Sequence, residues 1–197
     1  MAKSLKQLRE DARGCQACPL WANATQTVFG AGDPHARVML VGEQPGDEED
    51  KKGLPFVGPA GRLLDRALEA AGVDRNDLYV TNAVKHFKWQ LRGKRRLHKT
   101  PAQREVDACH QWLEREIAVV KPHVVVALGA TAARAVISKD FKVSTMRGQL
   151  VESPLAPYVF ATFHPSALLR LRDEGEKEAA FEQLVGDLKL IKKALSK

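Results

Sequence analysis

Short apolar runs separated by longer mixed segments are the dominant pattern along the chain. Runs of four to seven mainly apolar residues, too short for helices, are typical of buried strands in a parallel sheet. Four such runs occur, at residues 37–42, 78–84, 123–129 and 158–163.

The segments between these runs carry apolar residues at helical spacing and recognisable helix ends. Pro59 begins one helix and Gly72 closes it, and Thr100 with Pro101 supplies a cap and a first-turn proline for the next. The predicted helices cover residues 1–13, 59–71, 100–120, a segment beginning near Thr131, and 176–195.

Strands that alternate with helices predict an α/β protein, because the crossovers place helices on both faces of a parallel sheet. We expect one domain over residues 1–197, a three-layer α/β/α arrangement around a mainly parallel four-stranded sheet. The loops after Leu40, Val80 and Phe163 should converge at the carboxyl edge of that sheet. Residues 85–99 have no apolar period and are predicted to form a basic loop.

The composition is that of an ordinary globular protein. Hydrophobic residues make up 44% and charged residues 28% of the 197 residues, and no apolar run reaches the roughly 18 residues that a membrane span needs. The N-terminal helix, Met1 to Arg13, has Leu5 and Leu8 on one side and lacks the apolar centre of a secretory signal. We therefore expect a soluble, cytoplasmic monomer without a membrane partner.

The formal net charge is +7 and the sequence pI is about 9.4. Such a surface attracts polyanions, because each phosphate neutralised by Lys or Arg releases condensed counterions. Charge favours nucleic acid as the partner, although many basic proteins bind nothing in particular.

The three cysteines, Cys15, Cys18 and Cys109, are an odd number without an export signal, which disfavours a disulfide framework. Cys15-x-x-Cys18 could chelate a metal, perform thiol redox chemistry or be structural, and its place after a helix disfavours a thioredoxin-like role. Cys109 and His86 complete a four-ligand set that suits zinc or an iron–sulfur cluster. The alternative for Cys109 is a small buried hydrophobic residue.

Four separated motifs follow the predicted strands in order: residues 42–46 (Gly-Glu-Gln-Pro-Gly), residues 55–61, Thr81-Asn82, and residues 164–166 (His-Pro-Ser). With the N-terminal Cys-x-x-Cys, their order resembles the iron–sulfur uracil-DNA glycosylases called family 4. The resemblance covers nearly the whole chain. It implies the uracil-DNA glycosylase fold, DNA as the partner, and a 4Fe-4S cluster held by Cys15, Cys18, His86 and Cys109, with zinc as the alternative.

The resemblance also implies roles for the motif residues. Phe56 would stack on a uracil rotated out of the DNA, Asn82 would bind its Watson–Crick edge, and His164 would hold O2 as charge develops on the leaving base. Glu43 would face the sugar, where positive charge develops. Taken singly, the first three have structural alternatives as a core phenylalanine, a turn-capping asparagine and a strand-end histidine.

Three features depart from the ordinary family-4 pattern. Gln44 stands where that pattern has alanine, His86 stands where it has cysteine, and residues from about 88 to 99 form an inserted basic loop. Within it, residues 94–98 (Lys-Arg-Arg-Leu-His) are similar to the loop of the UdgX-type branch, which binds irreversibly to uracil-containing DNA. That resemblance implies that His98 joins the deoxyribose, with Glu43 orienting it; the alternative is a histidine in a solvated loop that contacts phosphates.

The positive charges of this loop should lie beside the pocket mouth, where phosphates run, and Gln44 and Asp47 should shape the pocket floor and entrance. Single-stranded DNA is the expected form, since an unpaired base is easier to extrude. The implied substrate-binding residues are Gly42, Gln44, Asp47, Phe56, Asn82 and Arg96. The loop cations are Lys85, Lys88, Arg92, Lys94, Arg95, Arg96 and Lys99.

Three functions remain open at this point. The first is a single-turnover protein that excises uracil from DNA and is trapped through His98 on C1′ of the sugar. The second is a conventional glycosylase that releases an abasic site and turns over. The third is a metal-stabilised DNA-binding module without chemistry.

Overall fold

The computed structural model describes residues 4–197. Within them the strands are β1 (Ala31–Gly32), β2 (Val38–Gly42), β3 (Leu78–Asn82), β4 (Trp89–Arg92), β5 (Arg95–His98), β6 (Val124–Leu128), β7 (Val151–Ser153) and β8 (Ala156–Thr162).

The central sheet has the strand order β1-β3-β2-β6-β8-β7. Its four inner strands are parallel and buried, as the apolar runs predict. The prediction of four strands is wrong for the whole sheet, because β1 and β7 add antiparallel edges. With two and three residues, these edge strands are too short to show a period in the sequence.

The α-helices of the described part of the chain are α1 (Leu5–Arg13), α2 (Asp47–Lys52), α3 (Pro59–Ala71), α4 (Gln103–Val120), α5 (Ala130–Val136), α6 (Val143–Met146), α7 (Pro165–Leu169), α8 (Glu174–Leu188) and α9 (Leu190–Leu195). One side of the sheet packs against α1, α4 and α5, and the other against α3, α7, α8 and α9. The predicted three-layer α/β/α arrangement is confirmed.

Several helix ends differ from the predicted ones. α4 begins at Gln103 and not at Thr100. The Glu105 carboxylate accepts a hydrogen bond at 2.6 Å from the backbone N–H of Ala102, the residue directly before the helix, and this bond fixes the helix start. The predicted C-terminal helix is divided at Lys189 into α8 and α9. In α1 the predicted apolar residue Leu8 is buried, and the part of the predicted helix at residues 1–3 lies outside the described residues.

The segment predicted as a loop, residues 85–99, contains an antiparallel hairpin of β4 and β5. Gly93, with φ 61°, begins its two-residue turn. Because polar side chains occupy both faces of the hairpin, no hydrophobic alternation marks its strands. None of the helices in residues 4–197 is long and apolar enough to cross a membrane.

Candidate active site

A cavity of about 660 Å³ opens where the parallel strands end. Seven of the nine residues predicted to bind or act on substrate line it: Glu43, Gln44, Asp47, Phe56, Asn82, His98 and His164. The structure thus brings together loops that follow three separate strands. Gly42 and Arg96 are not part of the cavity wall.

Gly42 lies directly behind the side chains of Phe56 and Asn82. A Cβ atom at this position would be 2.4 Å from Asn82 Oδ1 and 2.6 Å from Phe56 Cζ, well inside van der Waals contact. The absence of a side chain at residue 42 therefore allows an aromatic ring and an amide to sit side by side in the cavity wall.

Phe56 has a left-handed backbone with φ 55°, which is unusual for a residue with a large side chain. Gly61 makes this geometry possible, since a Cβ there would be 1.9 Å from the Phe56 carbonyl oxygen. The Phe56 ring is stacked with the His164 ring, with centroids 6.2 Å apart and planes at 29°. The strained turn thus fixes an aromatic surface on the cavity wall.

His164 is held as a neutral ring with a defined tautomer. Burial lowers its pKa to about 4, although the nearby Glu43 carboxylate acts in the opposite direction. The Ser166 backbone N–H donates to His164 Nδ1 at 3.1 Å, and Ser166 Oγ lies 2.8 Å from the same atom. Because Nδ1 accepts a hydrogen bond, the single proton of the neutral ring is on Nε2, where it can be donated to a ligand.

Glu43 is an ionised carboxylate with two donors. Burial raises the pKa of this carboxyl, but hydrogen bonds from His98 and Thr131 outweigh that effect and leave the pKa below its ordinary value. His98 Nε2 lies 3.1 Å from Glu43 Oε1, and the Thr131 hydroxyl donates to Oε2. A negative charge is thereby fixed beside a neutral donor and an imidazole.

His98 reaches the cavity because Gln44 fixes the base of the hairpin. The Gln44 amide nitrogen donates to the backbone oxygens of Lys88 at 3.2 Å and Lys99 at 3.0 Å, and its oxygen accepts from the Lys88 N–H at 3.0 Å. Lys88 and Lys99 are themselves joined by a backbone hydrogen bond of 2.9 Å. Gln44 thus binds both ends of the hairpin that presents His98.

Arg96 fastens the same hairpin to α2. Its Nε donates to Asp47 at 2.6 Å and its Nη1 to the fully buried Asp50 at 2.7 Å. The guanidinium also lies over the rings of Phe87 and Trp89, at 5.5 and 5.4 Å from their centroids. The structure therefore places Arg96 and Asp47 in an ion pair at the rim.

The prediction that Lys85 lies beside the pocket mouth is wrong. Lys85 is 1% exposed and forms a buried ion pair of 2.5 Å with Glu116. Its Nζ also donates to the Asn82 carbonyl at 2.7 Å and the Thr81 hydroxyl at 2.6 Å. The physical reason is that the buried Glu116 carboxylate requires a cation beside it. The Lys85 ammonium group also fixes the backbone of Asn82.

Two of the predicted metal ligands, Cys15 and Cys109, accept hydrogen bonds at sulfur. Trp112 Nε1–H donates to Cys15 Sγ, and the Lys85 backbone N–H donates to Cys109 Sγ, both at 3.2 Å. Burial raises the pKa of the Cys109 thiol to about 11, and the proximity of Cys18 and Cys15 adds to the rise.

The donor types fit a thiolate-bound centre. N–H groups directed at sulfur are typical of iron–sulfur sites, and burial lowers the pKa of His86, which keeps its ring neutral as a ligand must be. His86 Nε2 lies 3.0 Å from Thr27 Oγ1. Within residues 4–197, no three His, Cys, Asp or Glu side chains are gathered around a single metal-ion position.

Four residues that support the site were not predicted: Thr131, Ser166, Asp50 and Glu116. Ser166 stands in the His-Pro-Ser motif, and its backbone N–H at a helix start was the available signal. Thr131 contacts Glu43, which is 88 residues away, and Glu116 contacts Thr81, which is 35 residues away. No local sequence pattern indicates contacts over such separations.

Comparison with known proteins agrees with this geometry. The uracil DNA glycosylase superfamily matches residues 29–189. The chain is 38% identical over 185 residues to the Type-4 uracil-DNA glycosylase of Thermotoga maritima, covering 93% of each chain. It is 36% identical over 186 residues to the Type-4 enzyme of Pyrobaculum aerophilum, covering 89% of this chain and 91% of the relative.

A Type-5 uracil-DNA glycosylase of Pyrobaculum aerophilum is 34% identical over 166 residues, or 75% of this chain and 69% of the relative. The family match covers most of the chain and includes the cavity residues from Glu43 to His164. The chain therefore belongs to the uracil-DNA glycosylase superfamily and is close to its Type-4 members.

Proposed function

We propose that this protein excises uracil from DNA and remains covalently joined to the deoxyribose through His98. The observation that carries the proposal is the contact of 3.1 Å between His98 Nε2 and Glu43 Oε1 on the wall of the cavity. Family membership and the names of the relatives support uracil as the base and the glycosidic bond as the bond cleaved.

Base recognition is assigned to Phe56 and Asn82. A base in a duplex is out of reach, so it must be rotated into the cavity, where stacking on Phe56 and hydrogen bonds from Asn82 offset the loss of DNA stacking. Extrusion from a single strand has a smaller energetic cost. We therefore include a preference for single-stranded DNA in the proposal.

Bond cleavage separates charge between Glu43 and His164. The C1′–N1 bond breaks, and its electron pair leaves with the uracil, where the developing charge on O2 meets the Nε2–H of neutral His164. The sugar becomes cationic at C1′, and the Glu43 carboxylate stabilises that charge. Each group already has the required protonation state, since the pKa of Glu43 is lowered and that of His164 is about 4.

Capture of the sugar uses the ring nitrogen of His98 that does not face Glu43. In this structure Nε2–H points at the carboxylate, so the lone pair on Nδ1 forms the new bond to C1′. The ring then becomes cationic and passes the Nε2 proton to Glu43. An imidazole nitrogen fixed near C1′ has a high effective concentration and reacts before water does, and the N-linked product has no good leaving group.

A 4Fe-4S cluster held by Cys15, Cys18, His86 and Cys109 is the second part of the proposal, with zinc as the alternative metal. The bound group would supply a structural link between the N-terminal segment, the start of the hairpin and α4. His86 stands three residues before β4, and Cys109 accepts a hydrogen bond from Lys85. Iron and sulfide analysis with visible absorbance distinguishes the two metals, because a zinc site is colourless.

A labelled single-stranded oligonucleotide with one uracil tests the function. After incubation, a denaturing gel should show a shifted band, and free uracil should reach a plateau at one molecule per protein molecule. A matched oligonucleotide with thymine should give neither. Free uracil in excess of protein without a shifted band would contradict trapping.

Excess free uracil without a shifted band would instead support a conventional, recycling glycosylase, which the Type-4 names of the relatives favour. Complete absence of released uracil would contradict both enzymes and leave a DNA-binding module.

A further inference from the structure

The hairpin carries its side chains on two distinct faces. Trp89 pairs with His98 and Leu91 pairs with Arg96, and directly opposed residues of an antiparallel pair share a face. Leu91 therefore lies on the same face as His98. It is two strand positions nearer the turn than Trp89, a distance of about 7 Å along the strand.

The turn end of the hairpin is exposed and basic. We call Leu91, Arg92, Lys94 and Arg95 the hairpin tip. Leu91 is 64% exposed, the highest value among the exposed large hydrophobic residues of the described chain. The three cations are also exposed, and none of the ion pairs within residues 4–197 involves them, in contrast to Arg96, which is bound by two carboxylates.

We infer that the hairpin tip binds the DNA strand next to the uracil, with its cations on phosphates and Leu91 against the neighbouring base. The inference rests on the proposed function of the cavity. A strand whose nucleotide fills the cavity must continue over its rim, and His98 places the hairpin on that rim. Arg92 and Arg95 pair with each other on the hairpin face opposite Leu91, and Lys94 lies in the turn. Exposed cations next to one exposed apolar side chain match a polymer that alternates phosphates with flat apolar bases.

Salt dependence of binding tests the phosphate contacts. The probe is a single-stranded oligonucleotide containing 2′-fluoro-2′-deoxyuridine, which resists cleavage, so affinity is measured without chemistry. Replacing Arg92, Lys94 and Arg95 by serine should reduce the slope of log affinity against log salt by about 2, since each contact to a single strand contributes about 0.7.

The matched control replaces three exposed cations outside the cavity and the hairpin, Lys6, Arg37 and Lys193, and should leave the slope near that of the unmodified protein. An unchanged slope for the tip variant, or an equal reduction for the control, would overturn the phosphate contacts.

Leu91→Ser tests the base contact. The probe carries 2-aminopurine, whose fluorescence rises when it is unstacked, directly beside the fluorinated uridine. The unmodified protein and Leu91→Met should raise the fluorescence, whereas Leu91→Ser should give a smaller rise and several-fold weaker binding with an unchanged salt slope. The 2-aminopurine is placed on either side of the uridine in turn. If Leu91→Ser gave the full fluorescence rise in both positions, the contact would be overturned.

These outcomes are separable from a failure of the proposed function. Excision and trapping are measured with the unmodified protein on an oligonucleotide that carries ordinary uracil. Loss of reaction by the unmodified protein itself would contradict the function, whereas loss of the salt and fluorescence effects alone would contradict the inference.

Discussion

The imidazole Nε2 of His98 lies 3.1 Å from the carboxylate Oε1 of Glu43, although 55 residues and several elements separate them along the chain. The contact depends on the hairpin of β4 and β5. Gln44, the residue after Glu43, binds both ends of this hairpin through its side chain. The proposed nucleophile and the carboxylate proposed to accept its proton are thereby fixed to one loop.

Replacing His98 by serine should separate excision from trapping. His98→Ser should abolish the covalent band while uracil release continues beyond one molecule per protein, because Glu43 can then direct water to C1′. Gel analysis and uracil quantification measure the two outcomes. The control His110→Ser changes a histidine on α4 that does not line the cavity and should leave trapping intact; a full yield of crosslinked His98→Ser would refute the assignment.

Gln44→Ala should slow trapping more than excision. The change removes three hydrogen bonds at the base of the hairpin, each worth roughly 0.5–1.5 kcal/mol, so His98 loses its fixed position while Glu43 and His164 keep theirs. We expect the crosslinking rate to fall by about tenfold or more. The hairpin variant Gln90→Ala, at an exposed position, serves as control, and equal effects of the two variants on crosslinking would contradict the role of Gln44.

Gly42→Ala should remove uracil excision from a folded protein. The added Cβ would displace the Asn82 amide and the Phe56 ring, which lie 2.4 and 2.6 Å from its position. Gly186→Ala is the matched control, since its Cβ meets nothing within 4 Å. Circular dichroism and a uracil release assay check the prediction; normal release by Gly42→Ala would show that these two side chains are not positioned through residue 42.

The acid limit of excision, the pH below which the release rate falls, should move to a higher pH when Thr131 is replaced by valine. The Thr131 hydrogen bond lowers the pKa of Glu43, so its removal raises that pKa, and the required carboxylate is lost at a higher pH as the pH falls. Release rates of His98→Ser and His98→Ser/Thr131→Val across the acid range measure the shift without the trapping step. Thr145→Val, at an exposed threonine, should cause no shift, and an unmoved limit in the Thr131 variant would contradict the role of this hydrogen bond.

The parallel strands and most helices were predictable because burial on both faces leaves continuous apolar runs, as in Val38–Gly42 and Val124–Leu128. The hairpin was not, since residues such as Gln90 and Arg96 place polar groups on both of its faces. Gly93, with its positive φ, was the local signal for the turn.

The candidate cavity residues were predictable from motifs at strand ends, but their supporting contacts were not. Gln44 binds the backbone of Lys88 and Lys99, 44 and 55 residues away, and backbone groups carry no sequence signature. Lys85 belongs to a basic segment in the sequence and to a buried ion pair in the fold. Charge patterns alone do not distinguish these two environments.

Peptide mapping of the protein–DNA adduct by mass spectrometry tests the covalent account most directly. The protein is reacted with a short single-stranded uracil oligonucleotide, then digested with protease and nuclease, and the modified peptide is fragmented. The account predicts a deoxyribose linked to His98 and a product that has lost uracil. An adduct on any other residue, or a His98 peptide that is unmodified after complete uracil release, would contradict it.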